Sequence, residues 1–230
     1  MQELSLSEYR RLTHQAEPLT SELVDGHVSH KVLQLPDQSI LKLFRLKRLL
    51  TSARLFPYTK RFQRNVSRLE SLGIPTVAIT AVYRIPVIKR TAVHYRFLPG
   101  MTLRDHCEKN GMNSHIAEKF GNFFSFLHQN GVYFRSIHFG NMVLTVDHRI
   151  GLIDVVDMRF RRMPLNMRMR IRNLRHLFRY GTDIDCLAPL RHIFIDAYCK
   201  STRFRRNQER HFRRHFEDYF RRASVNDGIV

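Results

Sequence analysis

The sequence predicts an α+β fold in two lobes, a strand-rich first half followed by a helical second half. Three observations carry that expectation. Up to residue 98, short apolar runs alternate with polar residues and are cut by turn residues. From residue 114 onward, apolar residues recur at helical spacing. Hydrophobic residues make up 43% of the 230, enough to bury a core in one domain of two lobes.

Taken in order, residues 1–21 are polar and read as an N-terminal extension. Leu23–Val28 and Lys31–Leu35 read as strands flanking a turn at Ser29-His30. Pro36-Asp37-Gln38 is a second turn, and Ser39–Phe44 a third strand with Lys42 inside it. Residues 58–72 carry Phe62, Val66, Leu69 and Leu72 on one stripe, a helix that Gly73-Ile74-Pro75 ends. Strands are expected over 76–83 and 86–98, closing a first lobe of 22–98. Leu98-Pro99-Gly100-Met101-Thr102 reads as the linker to a second lobe of 99–200. There, Ile116, Phe120, Phe123, Phe124 and Leu127 mark one buried helix face, stopped by Asn130-Gly131. Helices follow near 167–179, 183–199 and 203–222, the last within a basic C-terminal segment, 201–230. It carries Phe212, Phe216 and Phe220 at i, i+4 spacing.

The formal net charge is +19, and it is unevenly placed. Residues 38–69 hold nine Lys or Arg and no acid; residues 158–182 hold eight arginines and no acid. Residues 200–222 hold nine Lys or Arg against Glu209, Glu217 and Asp218. Such blocks speak of partners, either nucleic acid or an anionic membrane surface. Cys107, Cys186 and Cys199 show no paired spacing, which predicts reduced core thiols in a cytoplasmic protein. The polar, acidic start predicts no signal peptide, and no apolar run is long enough to predict a membrane span. His211 and His215 lie one helical turn apart, without an evident third metal ligand.

The chemistry-bearing stretch is Phe134-Arg135-Ser136-Ile137-His138-Phe139-Gly140-Asn141, followed by Gly151-Leu152-Ile153-Asp154-Val155-Val156-Asp157. Met142–Val146 and Arg149–Ile153 flank Asp147-His148 and predict a hairpin that holds Asn141 and Asp154 near each other. An amide oxygen and a carboxylate so placed suit a hard cation. His138 reads as a structural residue that orients the loop.

On these residues the chain resembles the bacterial lipopolysaccharide-core kinases and their toluene tolerance relatives, within the protein-kinase-like superfamily. The resemblance covers residues 22–200. Its landmarks are Lys42, Leu69-Glu70-Ser71-Leu72-Gly73-Ile74-Pro75, Tyr95-Arg96-Phe97-Leu98-Pro99-Gly100-Met101-Thr102-Leu103, Leu127-His128-Gln129-Asn130-Gly131-Val132-Tyr133, Asn141 and Asp154. It implies a nucleotide cleft between lobes, with ATP and Mg²⁺ as cofactors. Lys42 would meet the phosphates, and Arg96, Leu98 and Met101 would line the adenine side. Asn141 and Asp154 would hold Mg²⁺. The implied acceptor is a sugar of the lipopolysaccharide core. The implied setting is cytoplasmic, peripheral on the inner membrane, against its anionic surface and other core-biosynthesis enzymes.

Four departures bear on activity. Ser136 stands where the family pattern has its catalytic aspartate, five residues before Asn141. A serine hydroxyl can hydrogen-bond an acceptor but is no base near neutral pH, a loss of roughly 10²–10⁴ in rate. Phe62 or Gln63 stands where the partner glutamate of Lys42 is expected. The phosphate-covering loop has the single glycine Gly26, and Val155-Val156 replaces Phe-Gly. Asp157 is a spare carboxylate, able to substitute for a lost one or to cap the next segment. Three functions follow: an atypical sugar kinase with Ser136 and Asp154 in its catalytic site, a pseudokinase scaffold, or a basic nucleic-acid-binding module.

Overall fold

Strands dominate the first part of the chain and helices the second, and the chain divides into two units, Met1–Leu98 and Pro99–Val230. A computed structural model describes residues 1–24, 27–45 and 58–226. Gly26 lies outside the described residues.

The first unit is built on a six-stranded sheet. Its strands are β1 (Gln2–Glu3), β2 (Glu17–Val24), β3 (His27–Gln34), β4 (Ile40–Arg45), β5 (Ala78–Ile85) and β6 (Arg90–Arg96), in the order β1-β5-β6-β4-β3-β2. β1 runs parallel to β5; the other pairs are antiparallel. Residues expected as an extension therefore belong to the sheet. Leu4 is buried with Leu33, Leu35, Leu41, Leu43, Ile85 and Ala92, and Tyr9 and Leu12 of α1 (Leu6–Leu12) pack against that cluster. Ser5 starts α1 as a capping box, its hydroxyl bonded to the Glu8 amide and the Glu8 carboxylate to the Ser5 amide. Ser29 and His30, expected in a turn, lie inside β3, where they pair with Glu22 and Ser21. Val28 and Val32 are good strand formers on both sides of them, and the register continues through the pair.

The opposite face of the sheet takes α2 (Tyr58–Ser71). Its stripe of Phe62, Val66 and Leu69 is buried, and Phe62 packs on Tyr95 and Phe44. Lys42 alternates with Ile40 and Phe44 along β4, so it shares this α2 face, with its ammonium 6.0 Å from the Phe44 ring.

The second unit is mainly helical. Gly100–Thr102 is a short strand, β7, rather than a bare linker, and it pairs with β9 (Met142–Thr145). α3 (Leu103–Asn110) follows, then α4 (Ser114–Gln129), β8 (Val132–Phe134), β9, β10 (Ile150–Leu152) and β11 (Met158–Phe160). The expected helix near 183–199 is two, α6 (Gly181–Leu187) and α7 (Arg191–Thr202). Pro189, which has no N–H to donate, sits in the 3-10 turn between them. α5 (Met167–Leu177) precedes them and α8 (Arg206–Asn226) closes the chain.

The expected α4 face is buried at Ile116, Phe120, Phe124 and Leu127. At Gly121 a Cβ would stand 2.2 Å from the Phe194 carbonyl, so only glycine lets α4 and α7 approach this closely. Phe212, Phe216 and Phe220 of α8 are buried, as are Leu174, Leu177 and Phe178. Phe212 stacks on Tyr198, Phe216 on Phe194. Of the arginines in the basic C-terminal segment, Arg203, Arg205, Arg206 and Arg214 are exposed. Arg213 instead bonds Asp196 and Glu209, and Arg170 is buried against the Leu165 carbonyl and the Tyr198 hydroxyl.

Cys107 on α3 and Cys186 on α6 form a disulfide across a separation of 79 residues, which corrects the expectation of reduced thiols. No sequence spacing marks the pair, because tertiary packing brings the two helices together. Cys199 is free and buried, and burial pushes its thiol up to about 12. Among the described residues, no helix is long and apolar enough to cross a membrane.

Candidate functional site

The loop between β8 and β9 carries the site. β8 is anchored from two sides. β11 pairs with it, placing Met158 opposite Phe134, and Asn173 of α5 holds its far end. The Asn173 amide donates to the Phe134 carbonyl at 2.8 Å and accepts from the Phe134 amide at 3.4 Å. Asn173 is fixed in turn by His128, whose Nε2 lies 3.1 Å from Asn173 Oδ1 and whose Nδ1 lies 2.7 Å from the Tyr198 hydroxyl.

These bonds assign the His128 tautomer. Asn173 Oδ1 accepts, so Nε2 donates; Nδ1 then accepts the Tyr198 hydroxyl proton, and Arg170 donates to the Tyr198 oxygen at 2.9 Å. Burial, reinforced by Arg170, lowers the His128 pKa to about 3, so the ring is neutral. Gly131, at φ 69°, turns the chain from α4 into β8 so close to residues 161–163 that a Cβ would stand 2.4 Å from the Arg161 carbonyl.

After β8, Ser136 is half-buried and its hydroxyl donates to Asp157 Oδ2 at 3.3 Å. His138 precedes a 3-10 turn over Phe139–Asn141. Asn141 is buried, and its Nδ2 donates to the Ser136 carbonyl at 2.9 Å, spanning the five-residue spacing noted in the sequence. Among the described residues no donor reaches its Oδ1. Asn141 opens the hairpin, with β9 and β10 paired antiparallel as expected: Met142 faces Leu152 and Leu144 faces Ile150. The hairpin returns the chain so that the Ile153 amide donates to the Asn141 carbonyl at 3.0 Å.

Asp154 comes next, in the left-handed region at φ 51° and ψ 49°, an uncommon conformation for a residue with a Cβ. It starts a 3-10 turn, Val155–Asp157, whose Val155 is buried. Val155 thereby anchors the turn that carries Asp157 to Ser136. Asp157 is thus a partner of Ser136, a role the sequence left open against simple capping.

Two residues that brace the candidate loop were missed from the sequence. Asp183 of α6 accepts the Phe139 amide at 2.9 Å and a two-pronged bond from Arg104 of α3, at 2.8 and 3.0 Å. The Asp183 side chain is 1% exposed. Its hydrogen bond raises the Arg104 pKa, and Arg104 also lies over the Tyr180 ring at 4.6 Å. One signal was present: Asp183 is the first acid after the long acid-free run of 158–182. His138 packs edge-on to Tyr180, and its Nδ1 is buried without a hydrogen-bond partner. Burial, then Arg104, lowers its pKa, while Asp183 and Asp154 oppose this, which places both carboxylates in its vicinity.

Ser136, Asn141, Asp154 and Asp157 therefore converge in the second unit. Met101 is also there, paired with Leu144 through β7 and β9. Lys42, Arg96 and Leu98 belong to the first unit: Lys42 is half-buried on β4, Arg96 ends β6 and is exposed, and Leu98 is the last residue of that unit. Phe62 is buried and Gln63 exposed on α2. His211 and His215 stack edge to face at 4.6 Å, and among the described residues no group of three or more His, Cys, Asp or Glu is placed to hold a metal. No protein-family model and no curated protein matches this chain.

Proposed function

We propose that this chain is a protein-kinase-like phosphotransferase of lipopolysaccharide-core biosynthesis, acting with ATP and Mg²⁺. The observation that carries the reading is the loop–hairpin–turn arrangement. Asn141 and Asp154 sit at the two ends of one hairpin tied by the Ile153–Asn141 bond, and Ser136 is bonded to Asp157 beside them. The donor set fits the ion: an amide oxygen without a protein donor and a carboxylate are hard ligands suited to Mg²⁺. Mg²⁺ bound there would offset charge on the nucleotide phosphates.

Asp157 supplies the carboxylate that position 136 lacks. The acceptor hydroxyl oxygen forms its bond to the terminal phosphorus, the bond from that phosphorus to the leaving nucleotide diphosphate breaks, and the acceptor proton passes to Asp157. Ser136, whose hydroxyl donates to Asp157, holds that carboxylate in place for the acceptor. A second reading, a pseudokinase that binds nucleotide or a partner enzyme without transfer, draws on Ser136 itself.

Calorimetry of ATP binding with and without Mg²⁺ tests the site. Asp154→Ala should remove the Mg²⁺-dependent part of binding; equal binding by that variant would refute the metal assignment. Transfer to purified lipopolysaccharide core should fall by about 10²–10⁴ in Asp157→Asn. Nucleotide binding with no transfer, in the wild type and in Ser136→Asp alike, would establish the pseudokinase.

A further inference from the structure

A groove of about 1020 Å³ opens in the second unit where β8, β11 and the start of α5 meet. Arg135, Arg159, Arg161, Arg162, Arg168 and Arg172 line it, and no acidic residue does. All six are exposed. Arg161 reaches only the Met169 sulfur, a weak acceptor, and among the described residues the other five guanidinium groups meet no hydrogen-bond acceptor. The positive end of α5 adds to the same field. Its first turn contains no acid, and Arg168 stands where helices favour negative charge. Such a concentration of like charge is a local conflict unless an anion resolves it. The field is felt by His176 on the groove wall, whose pKa is lowered first by burial and then by Arg135, Arg172, Arg179 and Arg175.

We infer that this groove is a binding site for a ligand carrying two or more phosphate groups, seated beside the Ser136–Asp157 pair. Arginine forks match phosphate oxygens two at a time, and no lysine lines the groove. Its concave shape suits a discrete ligand better than a flat membrane face. Tyr133 on its wall is buried and bonded to His176, so that wall lacks the open ring on which single-stranded bases stack. Arg135 directly precedes Ser136, and Arg159 follows Asp157 by two residues, so both sides of that pair lead into the groove. The acceptor-side role rests on the proposed phosphotransfer; the phosphate site itself does not. An acceptor for this protein arrives already phosphorylated, held by those phosphates while another of its hydroxyls faces Asp157.

The test is equilibrium binding of a bisphosphorylated hexose and its monophosphate to the full chain. The bisphosphate should bind about tenfold more tightly than the monophosphate. A triple change, Arg159→Gln, Arg162→Gln and Arg172→Gln, should weaken the bisphosphate by about tenfold or more. The α8 control Arg205→Gln, Arg206→Gln and Arg214→Gln should not. No binding, or equal loss in both triple variants, would overturn the site in favour of diffuse charge. Groove-dependent binding of a DNA oligonucleotide, or of vesicles containing phosphatidic acid, without binding of the bisphosphate would overturn it in favour of those partners. Displacement of the bisphosphate by MgATP would give the groove to the nucleotide and overturn the acceptor side. Asp154→Ala should leave bisphosphate binding intact while losing Mg²⁺-dependent ATP binding. Loss of one without the other therefore tells failure of the groove from failure of the nucleotide site.

Discussion

Replacing Asp183 should loosen the candidate loop without parting the helices around it. The carboxylate is almost fully buried and holds three hydrogen bonds, two from Arg104 and one from the Phe139 amide. Asp183→Ala orphans that amide, at about 1–3 kcal/mol, and strips Arg104 of its partner. Breaking a buried pair from one side costs about 3–5 kcal/mol in all, and Arg104 recovers some of that from water because its side chain is 28% exposed. The expected loss is therefore about 3–4 kcal/mol for alanine. It is about 2 kcal/mol for asparagine, which keeps one acceptor oxygen but turns a donor on its neighbours. Arg104 and Cys107 lie three residues apart on α3, as Asp183 and Cys186 do on α6, so the disulfide still holds the two helices when the ion pair is gone. The damage should concentrate in Phe139–Asn141. Urea unfolding gives the total, and amide hydrogen exchange gives its location: Phe139 should exchange by local opening in the variant. A double-mutant cycle with Arg104→Ala should give a coupling of about 1.5–3 kcal/mol. A loss below about 1 kcal/mol together with unchanged exchange at Phe139 would refute the bracing role.

Two further outcomes follow from buried groups. His128 is neutral in the fold, with a pKa of about 3, and takes up a proton near 6.5 when unfolded, so its contribution is whole above that value and is lost as pH falls towards 3. It should cost about 1.4 kcal/mol per unit, or about 2 kcal/mol at pH 5, and urea titrations at pH 7 and 5 should show His128→Gln losing that dependence. An unchanged slope would place the proton elsewhere. Reducing the Cys107–Cys186 bond releases a 79-residue separation and should lower stability by about 4–5 kcal/mol. Alkylation after reduction should label those two cysteines, while Cys199 stays protected by burial and its raised pKa. Equal stability with and without reductant would refute the crosslink.

What the sequence revealed and what it hid differ in range. The α4 stripe and the Asn141–Asp154 hairpin were legible because a helix period and a turn between two β-rich runs are local signals. The break at Pro189 and the strand course through Ser29-His30 were local too. There the periodicity on each side was smooth enough to mask the punctuation. The Arg104–Asp183 brace and the disulfide each bridge a separation of 79 residues, and neither has a sequence pattern, because α3 and α6 meet only through tertiary packing. Asp157 was visible as a spare carboxylate. Its bond to Ser136 required the β8–β11 pairing, two three-residue strands too short to announce themselves.

The Asn173 amide has a consequence for how the chain behaves among other chains. Its carbonyl and amino groups meet the N–H and C=O of Phe134 as a neighbouring peptide unit would. A single helical side chain thus impersonates an adjacent strand. A β-strand with an unpaired edge is a template for foreign strands, and β8 leads straight into the candidate loop. By closing that edge with a side chain, the fold shields it from intruding backbone and spares the loop the weight of a third strand. Asn173→Leu, similar in size and without either polar group, would reopen the edge where the chain can least tolerate a new partner.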